Sequence, residues 1–212
     1  MQKSMTLSYE VGQNLYLNIT NQCPCHCVFC IRKNDDGAYG SDSLWLENEP
    51  TMTEMQEDLK KRDLSKYQEI VFCGYGEPLM RLQFVCELAN YLKSNYPDIY
   101  LRLNTNGLAD IYNPQEALAN NSDSATKISA VFDKVSVSLN AGNSEIYNQV
   151  TKPKNLPENA FTIMLRFAET CKKLGVDTCF TVVDVISESQ IAEAQKIADN
   201  LQIPLSVREY IS

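Results

Sequence analysis

Histidine is almost missing from this chain, with His26 the single one in 212 residues. Its scarcity excludes multi-His zinc sites, two-His-one-carboxylate iron sites and any catalytic triad that does not use His26. Tryptophan is as rare, with Trp45 alone. No stretch of 18 apolar residues occurs and Met1–Glu10 has no basic-then-apolar pattern, so a cytoplasmic protein with neither span nor export signal is expected. Basic residues are in deficit, 19 Lys and Arg against 27 Asp and Glu, for a formal charge of −8. That sign disfavours a protein whose main task is gripping phosphate backbones, so nucleic acid is not an expected partner. Low-complexity segments and a clear linker are absent too, and one domain over residues 1–212 is expected. The least regular stretches are Arg32–Pro50 and Asn113–Thr126.

What the chain does have is enough apolar material, 44% of residues, to build a core without disulfides or a structural metal. A metal, if bound, is therefore expected to be functional. It also has eight cysteines, four of them (Cys23, Cys25, Cys27 and Cys30) within eight residues. In a cytosolic protein these are metal ligands, buried small residues or redox groups before they are a disulfide framework. Cys73, Cys86, Cys171 and Cys179 are scattered among apolar neighbours and read as small buried residues.

Short β-rich runs alternate with longer amphipathic ones. Leu15–Ile19, Glu69–Cys73, Ile99–Leu103, Val135–Leu139, Thr178–Val185 and Leu205–Arg208 read as strands. Thr51–Glu54 and Ser187–Gln190 fit the capping box, Gly175 follows a helical run from Phe161 to Leu174, and Pro204 closes the last helix. Strands separated by helices run parallel with right-handed crossovers, and six units fit the length. The predicted fold is α/β, an open (β/α)6 partial TIM barrel of parallel strands, with a short extra strand near Thr6–Val11.

In such folds chemistry sits at the C-terminal rim, and the first main strand runs straight into Thr20-Asn21-Gln22-Cys23-Pro24-Cys25-His26-Cys27-Val28-Phe29-Cys30. A zinc site normally wants four ligands in two separated pairs, and no second Cys-x-x-Cys exists. Read as Cys-x3-Cys-x2-Cys, the metal ligands Cys23, Cys27 and Cys30 suit a 4Fe–4S cube with one iron left open. With Phe29 before the last cysteine, this loop resembles the signature of the radical S-adenosylmethionine (SAM) superfamily. The resemblance implies that SAM chelates the open iron and is cleaved reductively to methionine and a 5′-deoxyadenosyl radical. That radical then abstracts a hydrogen atom from a substrate, while the protein positions the reactants and excludes water.

The second main strand leads into Gly74-Tyr75-Gly76-Glu77-Pro78, which resembles the family's Gly-Gly-Glu-Pro element, with Tyr75 in place of its first glycine. By that resemblance open carbonyls here accept hydrogen bonds from the methionine ammonium and Glu77 braces the loop; Gly74 and Gly76 supply conformational freedom around Tyr75. Asn104-Thr105-Asn106-Gly107 resembles a further family turn, in a dipeptide that is also common in plain turns. Ser136, Ser138 and Asn140 make one strand face polar where both faces should be buried, so they need partners such as a ribose or carboxylate. The expected cofactor contacts are thus Phe29, Gly74, Tyr75, Gly76, Glu77, Asn104, Thr105, Ser138, Asn140 and Asp184. Arg208 is a further candidate by position; rim ion pairing is the alternative for both Asp184 and Arg208.

Cys25 lies outside the three-cysteine frame, and as a fourth ligand it would close the cluster to SAM, so it is not expected to bind. The roles of Cys25, His26 and Trp45 stay open; for Trp45, packing on the barrel edge is favoured over a substrate lid. Lys152 and Lys154 read either as solvated or as partners of a carboxylate or phosphate. Asp42–Glu47, Arg62–Tyr67, Phe72–Pro78 and Val207–Tyr210 resemble the short radical SAM proteins associated with TatD-type hydrolases, which implies such a link and leaves the substrate open. A chain ending at its sixth strand implies a barrel mouth covered only by its own loops or by a partner, which favours a bulky substrate, and a flavodoxin or ferredoxin is implied as electron donor. The alternatives are an activating enzyme that installs a glycyl radical in a partner protein, a carboxy-deazaguanine-synthase-like small-molecule enzyme, and a non-catalytic iron–sulfur or zinc binding protein. No second cysteine cluster follows, so no auxiliary cluster domain is expected.

Overall fold

The computed structural model describes residues 2–114, 123–154 and 157–210. Seven strands form one sheet in sequence order: β1 (Ser8–Val11), β2 (Asn14–Leu17), β3 (Ile70–Phe72), β4 (Leu101–Thr105), β5 (Lys134–Ser138), β6 (Asp177–Val183) and β7 (Leu205–Arg208). β1 pairs antiparallel with β2, and every later neighbour pairs in parallel. This is the expected six-unit parallel array with its extra N-terminal strand. The boundaries move by up to two residues: β4 starts later than the β-branched run at Ile99 suggested, and takes in Thr105.

Helices α1 (Met52–Lys60), α2 (Leu82–Asn95), α3 (Ala109–Tyr112), α4 (Ser124–Ser129), α5 (Ser144–Thr151), α6 (Ala160–Lys173) and α7 (Glu188–Leu201) connect the strands. Local chemistry sets their ends. Thr51 and Glu54 bond reciprocally at the start of α1, as do Ser187 and Gln190 at the start of α7. Beyond α6, Gly175 takes a φ of +88°, a conformation that glycine adopts without the Cβ clash of other residues. The irregular stretch expected at Arg32–Pro50 contains no helix or strand beyond the 3-10 turn Ile31–Lys33, while most of the one expected at Asn113–Thr126 lies outside the described residues.

Alternation along each strand sorts the side chains. Leu15, Leu17, Ile70, Phe72, Leu101, Leu103, Val135, Val137, Phe180 and Val182 belong to one core cluster shared with the helices. Phe72 is fully enclosed and meets Phe132 edge-on at 4.8 Å, a contact worth about 0.5–1.5 kcal/mol beyond its buried area. The opposite face carries Tyr16, Cys73, Arg102, Asn104, Ser136, Ser138 and Thr181, with Asn104 in register with Ser136 and Ser138 with Thr181. A concave sheet face this polar is unusual for a parallel sheet and marks where a ligand is expected. Among the described residues no helix is long and apolar enough to cross a membrane.

Candidate active site

At the carboxyl ends of the strands a cavity of about 190 Å³ is lined by Cys27, Phe29, Cys30, Cys73, Gly74, Tyr75, Ser138, Asn140, Thr181 and Arg208, among others. Seven of the expected site residues therefore meet there: Cys27, Phe29, Cys30, Gly74, Tyr75, Ser138 and Asn140. Cys23 faces instead an open cleft of about 1040 Å³ on the outer flank of the same loop, with Trp45, Arg32 and His26. Gly76, Glu77, Asn104, Thr105 and Asp184 do not line the inner cavity. Asp184 is exposed and accepts the Tyr210 N–H at 2.7 Å.

Glu77 and Thr105 form the scaffold beneath. Glu77 is 5% exposed; Oε1 accepts from Leu79 N (3.1 Å) and Thr105 Oγ1 (2.7 Å), and Oε2 accepts from Asn106 N at 2.8 Å. Burial pushes its carboxyl up to about 7, against the pull of these three donors. The bracing role expected of Glu77 thus joins two strand ends rather than one loop.

The two glycines answer to close packing. A Cβ on Gly74 would lie 2.3 Å from Asn18 Oδ1, and one on Gly76 would lie 2.3 Å from the Thr20 carbonyl and 2.7 Å from that of Gln22. Neither has a positive φ, so the expectation that they lend conformational freedom gives way to a steric reason: the turn lies flat against the cysteine loop. Glu77 N donates to Gln22 O at 2.8 Å across the same contact. Tyr75 fits where a glycine was expected because its buried ring packs against the segment after the cysteines, where it meets Trp45 at 5.3 Å and its hydroxyl bonds the Asp35 carbonyl at 2.9 Å. Trp45 accordingly packs in a small second core with Tyr9, Leu44 and Tyr75.

Within the loop, Cys25 is 4% exposed and turned into the core. Its thiol, held protonated, hydrogen-bonds to Cys23 and Cys27 and lowers the pKa of both, whereas burial raises that of Cys30. Cys73, expected as a small core residue, lines the cavity instead, since it falls on the concave face. Arg32 escaped notice in the sequence: its guanidinium donates to the carbonyls of Asn21, Cys25 and Tyr75, each at 3.3 Å, tying the cysteine loop to the glycine turn. Its place two residues beyond Cys30 was the available signal. Arg208 reaches the cavity, where its charge bears on Tyr16 and Cys73.

Among the described residues no three His, Cys, Asp or Glu side chains converge on a point that one metal ion occupies. A cubane asks for something else, one thiolate per iron around a body several ångströms wide. Cys23, Cys27 and Cys30 come from one loop and lie near enough for their charges to bear on one another, a set of three thiolates that fits such a cube. Beside it, Asn104 Oδ1 and Asn106 Nδ2 are buried without a hydrogen-bond partner, the condition a bound polar ligand relieves.

Residues 17–201 match the family model of the Radical SAM superfamily. The chain belongs to the radical SAM superfamily. Its cofactors are those of the superfamily, a 4Fe–4S cluster and SAM, and it is an enzyme. Similar curated proteins include the 5-amino-6-(D-ribitylamino)uracil–L-tyrosine 4-hydroxyphenyl transferase of Trichormus variabilis, 27% identical over 97% of this chain and 54% of that protein. Another is the probable GTP 3′,8-cyclase of Methanocaldococcus jannaschii, 30% identical over 66% of this chain and 40% of its own length. The chain spans about half the length, or less, of these radical SAM relatives. Among solved structures, Streptococcus suis SuiB bound to SAM superposes with a TM-score of 0.68 at 15% identity, over 94% of this chain and 41% of SuiB. That likeness shows the fold: a radical SAM partial barrel, as expected.

Proposed function

We propose that this radical SAM protein cleaves SAM reductively at a 4Fe–4S cluster held by Cys23, Cys27 and Cys30, and that the 5′-deoxyadenosyl radical takes a hydrogen atom from a substrate still to be identified. The observation that carries the reading is convergence: the cysteine loop, the Gly74–Tyr75 turn, Ser138 and Asn140 border one cavity at the carboxyl rim. When bound, the cluster and SAM supply the electron and the carbon radical, chemistry that side chains cannot provide.

The chain's own residues bind, orient and exclude water. The backbone of the Gly74–Tyr75 turn, which borders the cavity, would accept from the methionine ammonium. Ser138 and Asn140 would meet the ribose and carboxylate; Asn140 sits past the strand end at φ 57° and its N–H donates to Thr181 O at 3.1 Å, which fixes its backbone at the rim. Phe29 covers the cavity from the cysteine loop. Cys25 stays protonated in the core and is not offered as a fourth ligand. Glu77, Thr105 and Arg32 hold the two loops together and act as positioning residues, and Asp184 positions the segment that carries Arg208 and Tyr210 through its bond to Tyr210 N.

A single radical SAM core domain over residues 1–212, cytoplasmic, completes this reading, with a low-potential flavodoxin or ferredoxin as donor. The resemblance to TatD-associated proteins supports a functional link to such a hydrolase. A bulky substrate is part of this reading, and SuiB, whose structure is also known bound to its precursor peptide, offers a precedent for one. The test is spectroscopic: anaerobic reconstitution and reduction, then electron paramagnetic resonance with and without SAM. SAM is expected to change the cluster signal of the wild type; a signal indifferent to saturating SAM would overturn the proposal.

A further inference from the structure

The loop carrying Cys23, Cys27 and Cys30 also has an outward side, and a strap runs along it. Val28 N donates to Val150 O at 2.8 Å, His26 N to Thr151 O and Lys152 O at 3.0 and 3.2 Å, and Lys154 N to Pro24 O at 2.8 Å. Cys25 and Pro153 pair across the same seam. Lys152 takes a φ of 45°, a left-handed conformation that non-glycine residues seldom adopt, where α5 ends and its N–H turns back to Asn148 O. The strap thereby fixes two exposed lysines, Lys152 and Lys154, beside the cysteine loop. From the other side the exposed Lys33 donates to the carbonyls of Cys27 and His26. On the loop between them Val28 is 40% exposed, an apolar side chain directly after a cysteine.

In a chain whose formal charge is −8, Lys33, Lys152 and Lys154 gather positive charge beside this loop, and the charges of Lys154, Arg32 and Lys33 bear on His26 within it. The carboxylates Asp35 and Asp36 border the outer cleft that Lys33, His26 and Pro24 also line, so the excess of positive charge lies on the side of the loop that carries Lys152 and Lys154. Cations around an apolar centre are the surface that an acidic redox protein needs: charge raises the rate and orients the encounter, and a small dry contact suffices for a transient complex.

We propose that Val28, ringed by Lys33, Lys152 and Lys154, is the docking surface for an acidic, low-potential electron-donor protein, the face through which the cluster is reduced. The inference rests on the radical SAM reading. In the step one electron leaves the donor and one enters the cluster; no bond forms or breaks. Docking on this side leaves the inner cavity free for SAM and substrate, so reduction need not wait for either to leave.

The test uses the reconstituted holoprotein with two reductants, reduced flavodoxin (acidic) and the methyl viologen radical cation, following the bleaching of cluster absorbance by stopped flow. For Lys152→Glu/Lys154→Glu, reduction by flavodoxin at low salt is expected to slow by more than about tenfold and reduction by methyl viologen to stay within about twofold. The dissociation constant for oxidised flavodoxin, measured by calorimetry, is expected to rise by a similar factor, and Lys33→Gln to give a smaller change in the same direction. Wild-type flavodoxin rates in both lysine variants, or equal slowing with both reductants, would overturn the assignment. Failure of SAM cleavage would overturn the functional reading while leaving these reduction and binding results to be judged alone.

Discussion

Replacing Glu77 with glutamine turns the buried carboxyl beneath the mouth into a measurable pH effect. Burial displaces its pKa from 4.5 to about 7. The folded chain therefore holds this proton more tightly than the unfolded chain, and ionising it in place costs stability. The contribution is fully present below about 4.5, is lost as pH climbs from there to about 7, and is flat beyond. At about 1.36 kcal/mol per unit, that displacement amounts to about 3 kcal/mol. Glutamine does not titrate, but its amide NH2 must face at least one of the three donors that the carboxyl accepts, Leu79 N, Thr105 Oγ1 or Asn106 N. One unsatisfied buried donor costs about 1–3 kcal/mol. Glu77→Gln should therefore be less stable than wild type at pH 5, with the gap closing or reversing by about 3 kcal/mol at pH 8. Urea unfolding of the cluster-free protein across that range, followed by circular dichroism, measures it. A gap independent of pH would refute the reasoning and mean that the three donors outweigh burial.

Two further substitutions probe the contact between the loops. In Gly76→Ala the new Cβ meets two backbone carbonyls, at 2.3 and 2.7 Å, that cannot swing away; a loss of about 1–3 kcal/mol in denaturant unfolding is expected, together with weaker SAM binding by calorimetry. Arg32→Ala removes three bonds to carbonyls on both loops, so the iron retained per protein after reconstitution and desalting is expected to fall while circular dichroism stays unchanged.

Much of the fold was legible because each strand and helix carries its own punctuation. The capping boxes at Thr51 and Ser187 and the glycine after α6 each bound a helix where the sequence placed it. Strand ends were harder, since Thr105 is polar and looks like a loop residue until its register with Val137 on the neighbouring strand is known. The cysteine spacing, Phe29 and the polar alternation through Ser138 pointed to the cavity directly. What stayed hidden was long-range: that Gly74 and Gly76 are small because another loop lies against them, that Cys73 faces inward, and that Arg32 spans two loops. Lys152 and Lys154 looked like solvated charges because nothing local shows that Pro153 pairs with Cys25.

The central claim is radical formation from SAM at the cluster of Cys23, Cys27 and Cys30. Its most direct test is to incubate the reconstituted, reduced protein with SAM under anaerobic conditions and quantify 5′-deoxyadenosine beside a Cys23→Ala/Cys27→Ala/Cys30→Ala control. 5′-Deoxyadenosine from the wild type and none from the variant is the predicted result. A fully loaded, reduced cluster that binds SAM and yields no more 5′-deoxyadenosine than the variant would contradict it.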